Sequence, residues 1–289
     1  MKKSFLTVAV ILGASTLFAQ DLKSKKGEAY LPEAGDYAIG IDAAPFLTYI
    51  GNFIGGNGLN TAPSWNFLTT NQTITGKYFK EDDLAYRIGL RIGFGSTKGS
   101  ATVGQDLAAA PVYPALPLTV VDSWKSGGTN IGLSGGLEWR RGKGRLQGFY
   151  GAELGIAFGT SKTTYEYGNA MTITGAGTTD FGSNITTDTY GNGARINEDK
   201  GGSTVAFGLR GFIGAEYFVL PKLSIGGEFG WGLGIASVGA SSTTLESTDG
   251  VSVGSQVIEG TKVSSFGIDS DINNTLFGAA GSLRIAFHF

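Results

Sequence analysis

The chain of 289 residues contains no cysteine, one histidine, two methionines and seven prolines. The absence of cysteine excludes disulfides, thiolate metal sites and a lipid anchor on an N-terminal cysteine. A single histidine without cysteine also argues against a transition-metal site, so we expect no metal and no cofactor. Beyond the N-terminus, no stretch reaches the roughly 18 consecutive apolar residues of a membrane-spanning helix. Helical membrane spans are therefore excluded.

The N-terminus has the three parts of a secretory signal peptide. Met1-Lys2-Lys3 is basic, residues 5–18 form an apolar run, and Ala19 is the small residue before a cleavage site. The run is shorter than the roughly 20 residues of a spanning helix. The sequence therefore predicts a signal peptide over residues 1–20 and a periplasmic leader over residues 21–35. We expect the charged part of the leader to be solvated.

Glycine is abundant, at 48 of 289 residues, whereas the usual share is about 7%. It has no collagen-like period and lies inside segments in which apolar residues alternate. Repeated glycine in strands indicates bending or crowding on one face. The interior of a narrow β-barrel imposes both demands, because side chains fill it.

Eight segments alternate between apolar and polar residues, which is the pattern of a β-strand with one oily face. The segments are residues 36–50, 71–80, 84–95, 130–140, 145–158, 204–219, 223–233 and 275–289. Each reaches the roughly 9 to 11 residues of a tilted spanning strand. The chain is thus expected to be all-β, an eight-stranded antiparallel up-and-down transmembrane β-barrel over residues 36–289.

The connections between these segments alternate strictly between short and long. The short ones are residues 81–83, 141–144 and 220–222, and the long ones are residues 51–70, 96–129, 159–203 and 234–274. All short turns therefore lie at one end, and four long loops lie at the other. With an even strand number both termini fall at the short-turn end. In outer-membrane barrels the turns are periplasmic and the loops extracellular.

Alternation alone does not decide which face points inward. A soluble barrel of the lipocalin kind keeps its oily face inside. The signal peptide, the aromatic last residue and the glycines interleaved with charges favour an oily exterior instead. Aromatic residues at the short-turn ends of the segments would then form an interfacial girdle. These residues are Tyr37, Tyr78, Trp139, Tyr217 and Phe289.

The final segment ends in Leu-Arg-Ile-Ala-Phe-His-Phe, and Phe287 and Phe289 share its apolar parity. On this ending and the strand pattern, the chain resembles the small eight-stranded outer-membrane β-barrel family of the OmpX, OmpW and OmpA-barrel type. Residues 18–20 and 31–36 look like Bacteroidetes versions. The resemblance implies a Gram-negative outer-membrane protein in contact with lipid and lipopolysaccharide, whose terminal aromatics are read by the barrel-insertion machinery. It implies no nucleic-acid partner.

Ten charged residues share the polar parity of the strands. They are Asp42, Lys77, Arg87, Arg91, Glu138, Glu153, Arg210, Glu216, Glu228 and Arg284. Five positive and five negative charges predict a lumen closed by ion pairs, because buried charges must pair or neutralise. The alternative is a gated ion path in which these pairs exchange partners. His288 is expected to be a polar filler near the periplasmic rim.

The long loops contain the candidate binding residues. The aromatic ones are Trp124, Tyr165, Tyr167, Phe181 and Tyr190. These residues could contact a surface protein or a glycan. They could equally belong to a β-ribbon that projects beyond the bilayer as a plain scaffold. The apolar residues 107–121 include three prolines and either fold over the barrel mouth or contact a partner protein or lipid. Acidic residues of the last loop could attract divalent cations, namely Glu246, Asp249, Glu259, Asp269 and Asp271.

The sequence contains no carboxylate pair, nucleophile elbow or phosphate loop that indicates catalysis. We therefore expect a non-enzymatic protein with a structural or interaction role at the cell surface. Envelope integrity, adhesion and service as an accessory subunit of a surface complex all fit. The alternative is a narrow porin-like channel for small solutes or hydrophobic molecules. Whether the lumen charges close into complete pairs discriminates between the two.

Overall fold

The computed structural model describes residues 22–56, 74–173, 185–187, 193–270 and 283–289. The predicted signal peptide, residues 1–20, lies outside this part of the chain. Thirteen β-strands and an eleven-residue helix occur in the described residues. No helix among them is long and apolar enough to cross a membrane. The predicted all-β antiparallel class is confirmed.

The elements follow one another along the chain with the following bounds. They are β1 (Tyr37–Asp42), α1 (Ala44–Ile54), β2 (Ile74–Glu81), β3 (Leu84–Gly104), β4 (Thr119–Arg141), β5 (Leu146–Glu166), β6 (Ile185–Thr187), β7 (Gly193–Lys200), β8 (Thr204–Leu220), β9 (Leu223–Val238), β10 (Ser242–Thr248), β11 (Val253–Glu259), β12 (Val263–Ser270) and β13 (Leu283–His288).

Antiparallel pairing closes a ring through eight of these strands. The order around the ring is β1, β2, β3, β4, β5, β8, β9 and β13, and β13 pairs back with β1. The connections β2–β3, β4–β5 and β8–β9 are short and lie at one end, called here the short-turn end. The other five strands lie at the opposite, long-loop end or extend the ring there.

The ring has a charged interior and an apolar exterior. Along β3, side chains from Ala85 to Phe94 alternate between buried and exposed. The inward-facing Arg87 is 3% exposed, whereas the outward-facing Ile88 is 52% exposed. The same inversion holds on β5 and β8, where Glu153 and Arg210 are buried and their apolar neighbours are not. The arrangement is therefore the reverse of a lipocalin-like barrel.

Three strands continue well beyond their predicted ends. β3, β4 and β5 contain 21, 23 and 21 residues, which is about 65 to 75 Å at roughly 3.3 Å per residue. Their outer halves join β7, β10 and β11 in a sheet of order β11-β10-β7-β5-β4-β3, called here the blade. Predicted loops 96–129, 159–203 and 234–274 thus contain strands. Their Thr- and Val-rich stretches explain this, because β-branched residues favour extended backbone.

One predicted strand boundary is wrong, and another lies outside the described residues. The first predicted strand ran to residue 50, but β1 ends at Asp42 and α1 begins at Ala44. Pro45 lies in the first turn of α1, where a residue without an N–H is tolerated, whereas a central strand would lose a ladder hydrogen bond there. The last predicted strand began at residue 275, which lies outside the described residues, and β13 begins at Leu283.

The leader packs across the short-turn end of the ring. Its charged side chains up to Glu28 are exposed, but Tyr30 and Pro32 are buried. The backbone N–H of Lys222 donates to the carbonyl of Tyr30 at 3.2 Å. The guanidinium of Arg145 lies 3.5 Å from the centroid of the Tyr30 ring. Residues 29–35 are therefore part of the folded structure.

Candidate functional site

The lower lumen, nearer the short-turn end, contains a network of buried ion pairs. Glu228 lies at its centre and contacts three arginines. Its carboxylate oxygens are 2.8 Å from Arg87 Nη1, 2.9 Å from Arg210 Nη1 and 3.1 Å from Arg284 Nη2. Glu153 accepts from Arg210 Nη1 at 2.8 Å and lies 3.4 Å from Arg87 Nε. Arg87 and Arg210 therefore each join Glu153 to Glu228.

A second half of the network lies closer to the short turns. Lys77 Nζ donates to Glu138 at 2.6 Å and lies 3.9 Å from Glu216. Arg140 pairs with Glu216 and lies 3.8 Å from Glu138. Arg87 joins the two halves, because its Nη1 is 3.6 Å from Glu138. The charges of the lower lumen thus form one connected network.

Aromatic rings fill the space between these charges. The buried rings are Phe79, Phe149, Phe212 and Phe218. The guanidinium of Arg87 lies 4.3 Å from the centroid of Phe212, and Lys77 Nζ lies 4.9 Å from that of Phe149. These are cation–π distances, so the same cations contact both carboxylates and ring faces.

Little space remains within the network. A void of about 20 Å³ lies beside Lys77, Phe149 and Glu228, which is room for roughly one water molecule. A hydrated ion needs more than one water, so the described side chains leave no room for it at this level. The described charges and aromatic rings thus pack closely around this void.

The structure brings eight of the ten predicted lumen charges into this network. Arg91 is buried two inward positions above Arg87 on β3, and the side chain of Asp42 lies outside the described part of the chain. Sequence reasoning missed Arg140 and the four phenylalanines. Arg140 shares its parity on β4 with Glu138, so strict alternation could have found it.

A cavity of about 660 Å³ lies above the network, toward the long-loop end, and is called here the vestibule. Arg87 forms part of its floor, and Ser134, Gly155 and Gly208 form part of its wall. These three wall residues belong to a row of cross-strand partners with small side chains, which begins at Gly89 and ends at Gly234. Because these residues have little or no side chain, the space inside the ring stays unfilled.

The histidine lies in a buried contact at the short-turn end. Ser224 Oγ is 3.0 Å from His288 Nε2 and donates to Glu216 at 3.2 Å. In a catalytic triad the acid orients the histidine through the second ring nitrogen. Here the acid contacts the serine, and Nδ1 has no hydrogen-bond partner among the described residues. Ser224 is 1% exposed, so the arrangement is a packed polar contact without the geometry of a nucleophile.

The inner face of the blade carries three of the five predicted loop aromatics. Trp124 pairs across the strands with Tyr165, whose ring stacks on Tyr167 at 6.4 Å between centroids. Trp124 lies across Gly99, where an added Cβ would come within 2.6 Å of the indole Cε2. Phe181 and Tyr190 lie outside the described residues.

A buried arginine fixes this part of the blade. Arg195 pairs with Glu246, donates to the carbonyl of Asn169 at 2.7 Å and lies 4.2 Å from the centroid of Tyr167. The Tyr167 hydroxyl donates to the carbonyl of Ile196. Burial raises the pKa of Tyr167, although the charge of Arg195 opposes this rise. Tyr167 therefore supports the blade, and its hydroxyl is already engaged.

The apolar loop forms the tip of the β3–β4 hairpin. Tyr113 is 95% exposed and Leu116 is 84% exposed, so these side chains do not pack over the mouth of the ring. Of the acidic residues predicted to attract cations, Glu246 is paired with Arg195. Asp249 accepts hydrogen bonds from the N–H groups of Ser252 and Val251, which lower its pKa.

The remaining acidic candidates are not engaged in a described cation site. Glu259 is exposed at the end of β11. The side chain of Asp269 and the whole of Asp271 lie outside the described residues. No group of three or more His, Asp or Glu suited to a metal ion occurs in the part of the chain that the structure describes.

Aromatic residues surround the outer face of the ring near the short-turn end. Tyr37 lies 5.0 Å from Tyr78 and 6.3 Å from Phe289 between ring centroids, and Trp139 stacks on Tyr150 at 5.8 Å. Tyr217, the other member of the predicted girdle, pairs in register with Leu146 and Ile225. The predicted insertion residues Phe287 and Phe289 are exposed on β13 and just after it.

Comparison with known proteins shows no family for this chain and a similarity to a solved structure. No family model matches the chain, and no curated protein matches it. Among solved structures, the chain is similar to the outer membrane protein OprG from Pseudomonas aeruginosa, with 11% identity and a TM-score of 0.30. That match covers 90% of this chain and 98% of the other. With so low a TM-score, the function is inferred below from the geometry of the ring.

Proposed function

We propose that this chain is a non-enzymatic β-barrel of the Gram-negative outer membrane with a closed lumen and a structural or interaction role at the cell surface. The observation that supports it most is the inversion of the ring, with ion pairs inside and exposed apolar side chains outside. Soluble monomers rarely expose contiguous apolar patches of more than a few hundred Å². A closed ring in lipid leaves no unpaired strand edge.

The dimensions of the apolar exterior agree with a bilayer. On β3 the outward side chains are apolar from Leu84 to Phe94. Ten steps of about 3.3 Å, tilted by about 40°, give roughly 25 Å, which is the height of the apolar band on outer-membrane barrels. The aromatic cluster around Tyr37, Tyr78 and Trp139 would then lie at the periplasmic interface.

The orientation follows from the same proposal. The short-turn end, the leader and both termini would face the periplasm after removal of residues 1–20. The blade would project outside the cell, where it could contact a surface protein or a glycan. The exterior would contact lipid and lipopolysaccharide. Phe287 and Phe289 would be read by the barrel-insertion machinery.

Single-cysteine labelling tests this orientation cleanly, because the chain contains no cysteine. Ala115→Cys lies in the exposed tip, and Lys143→Cys lies in an exposed short turn. We expect a membrane-impermeant maleimide to label the first variant on intact cells and the second only after permeabilisation. Labelling of the Lys143→Cys variant on intact cells would contradict the orientation.

The closed lumen is tested by planar-bilayer recording of the refolded protein. Insertion is checked in parallel by flotation with vesicles. We expect no steady conductance, because the network around Glu228 leaves a void for about one water. The second candidate function is a narrow channel, which the 660 Å³ vestibule favours because it already opens the upper half of the lumen. Reproducible conductance steps would support the channel and contradict the closed barrel.

A further inference from the structure

Four lysines lie together on the outer face of the blade, and they are called here the lysine patch. On β3 and β4, Lys98 is directly opposite Lys125. On β5 and β7, Lys162 is directly opposite Lys200. Lys162 is also opposite Gly127, two residues from Lys125, so the two lysine pairs are diagonal neighbours. Diagonal neighbours of this kind are about 7 to 8 Å apart.

The lysine patch begins just above the apolar exterior. Lys98 is four residues beyond Phe94 on β3, and Lys162 is four residues beyond Phe158 on β5. Lys98 and Phe94 are an even number of residues apart on their strand, and so are Lys162 and Phe158. The lysines and the apolar residues therefore share the outer face. Four residues of tilted strand rise roughly 10 Å. At that height the lysines would lie at the outer edge of the lipid head groups.

The lysine patch is poorly neutralised by the protein itself. All four lysines are exposed. Among the described residues the patch forms one ion pair, Lys162 Nζ to Glu198 at 2.7 Å, with half of the lysine side chain exposed. Glu259 is two strands away from Lys200, because both residues pair in register with Ser242 of the strand between them. Like charges directly opposite each other destabilise a sheet, and this blade has two such pairs side by side.

We propose that the lysine patch binds the phosphate groups of an anionic glycolipid in the outer leaflet. The inference rests on the proposed membrane function and names the lipid chemistry that this face recognises. A phosphate offers several acceptor oxygens, so one phosphate can bridge each opposed lysine pair. Two phosphates on one head group would occupy the two diagonal pairs. Each lysine near an anionic membrane surface strengthens such binding several-fold.

The test replaces all four lysines by glutamine and uses a matched control. The patch variant is Lys98→Gln, Lys125→Gln, Lys162→Gln and Lys200→Gln. The control variant is Lys25→Gln, Lys26→Gln, Lys80→Gln and Lys143→Gln, which makes the same charge change at exposed positions near the short-turn end. The probe is bis-phosphorylated lipid A in neutral mixed micelles, and the dephosphorylated lipid is the comparison. We expect the patch variant to bind lipid A at least tenfold more weakly, and the control variant within twofold of the wild type.

A second measurement separates binding from a general loss of structure. In neutral detergent without phosphate, the patch variant should unfold at the same denaturant concentration as the wild type or a higher one, because repulsion is removed. Added lipid A should raise the unfolding midpoint of the wild type and of the control variant, and should leave the patch variant unchanged. A lysine patch that only supported the fold would give a lower midpoint in the variant without lipid.

Three outcomes would overturn the inference. They are equal affinity for the dephosphorylated lipid, an unchanged affinity of the patch variant, and equal stabilisation by inorganic phosphate, which would indicate a general anion site. These outcomes are distinct from failure of the membrane function. A chain that does not insert into vesicles contradicts the proposed function, whereas a chain that inserts but ignores lipid phosphate contradicts the lysine patch alone.

Discussion

The replacement Glu228→Gln tests the lumen network at its most connected point. The wild-type carboxylate is shared by Arg87, Arg210 and Arg284 at 2.8 to 3.1 Å. Glutamine keeps the shape and one acceptor oxygen, but it removes the charge. The three guanidinium groups then face one another, with Glu153 close to two of them and Glu138 close to Arg87 alone.

The magnitude follows from the charge count of the network. Five cations, Lys77, Arg87, Arg140, Arg210 and Arg284, meet the four acids Glu138, Glu153, Glu216 and Glu228. Removal of one acid therefore changes the number of cations to acids from five against four to five against three. Breaking a buried pair by removing one partner costs about 3 to 5 kcal/mol. We expect a loss of that size, because all these side chains are at most about one-sixth exposed.

Urea unfolding in detergent, followed by tryptophan fluorescence, measures this loss. With a slope of about 2 kcal/mol per molar, the midpoint should fall by about 1.5 to 2.5 M. Glu81→Gln, at an exposed end of β2, is the matched control and should change the free energy of unfolding by less than about 0.5 kcal/mol. The double variant Glu228→Gln/Arg284→Gln should recover part of the loss, since it removes one of the facing cations. An unchanged midpoint for Glu228→Gln would refute the network as a source of stability.

Three further predictions concern other parts of the molecule. Gly151→Ala should destabilise the ring by about 1 to 3 kcal/mol, because a Cβ would overlap the Leu137 carbonyl and approach the Phe212 ring to 2.6 Å. The control Gly254→Ala has no atom within 4 Å of the added Cβ and should be neutral in the same urea assay. Burial alone would raise the pKa of Asp36, but its hydrogen bond from Lys222 and a backbone N–H lower it below 3.8 overall. This pair therefore stabilises the leader above the ordinary pKa of Asp36, and its contribution is lost as the pH falls through the folded pKa. Pepsin should cleave the leader of Asp36→Asn faster than that of the wild type near about pH 5, and the two rates, compared at each pH, should converge near about pH 2. Arg195→Met should make the blade in vesicles sensitive to protease while the unfolding midpoint of the ring stays unchanged, since Glu246, Asn169 and Tyr167, which Arg195 contacts, lie beyond the ring strands.

The ring strands could be predicted from the sequence because their two faces differ strongly. Along β3 every second residue from Leu84 to Phe94 is large and apolar, and the residues between them are small or charged. This contrast identified the ring strands and most of the lumen charges. It failed for Phe79 and Phe149, because a large apolar side chain on the inner face reads as a break in the pattern. Such residues are explained by the cations that they cover.

The blade and the leader could not be predicted in the same way. In the blade both faces carry Thr, Ser and charged residues, as along 160–166, so alternation gives no contrast. The folded leader depends on contacts between residues far apart in the chain, such as Tyr30 with Arg145 and Lys222. Helix α1 was missed because its apolar residues follow a strand without a gap. Pro45 was the local signal that the strand had ended.

The continuity of β3, β4 and β5 through ring and blade has a mechanical consequence. Their ladder hydrogen bonds lie across the strand direction, so a pull on the tip along the strands shears many bonds at once. A flexible loop would instead extend and relax under the same force. A partner held at Leu116 would therefore pull directly on the wall of the ring. The 21 residues of β3 make a stiff lever arm, and motion of an attached surface would tilt the whole molecule.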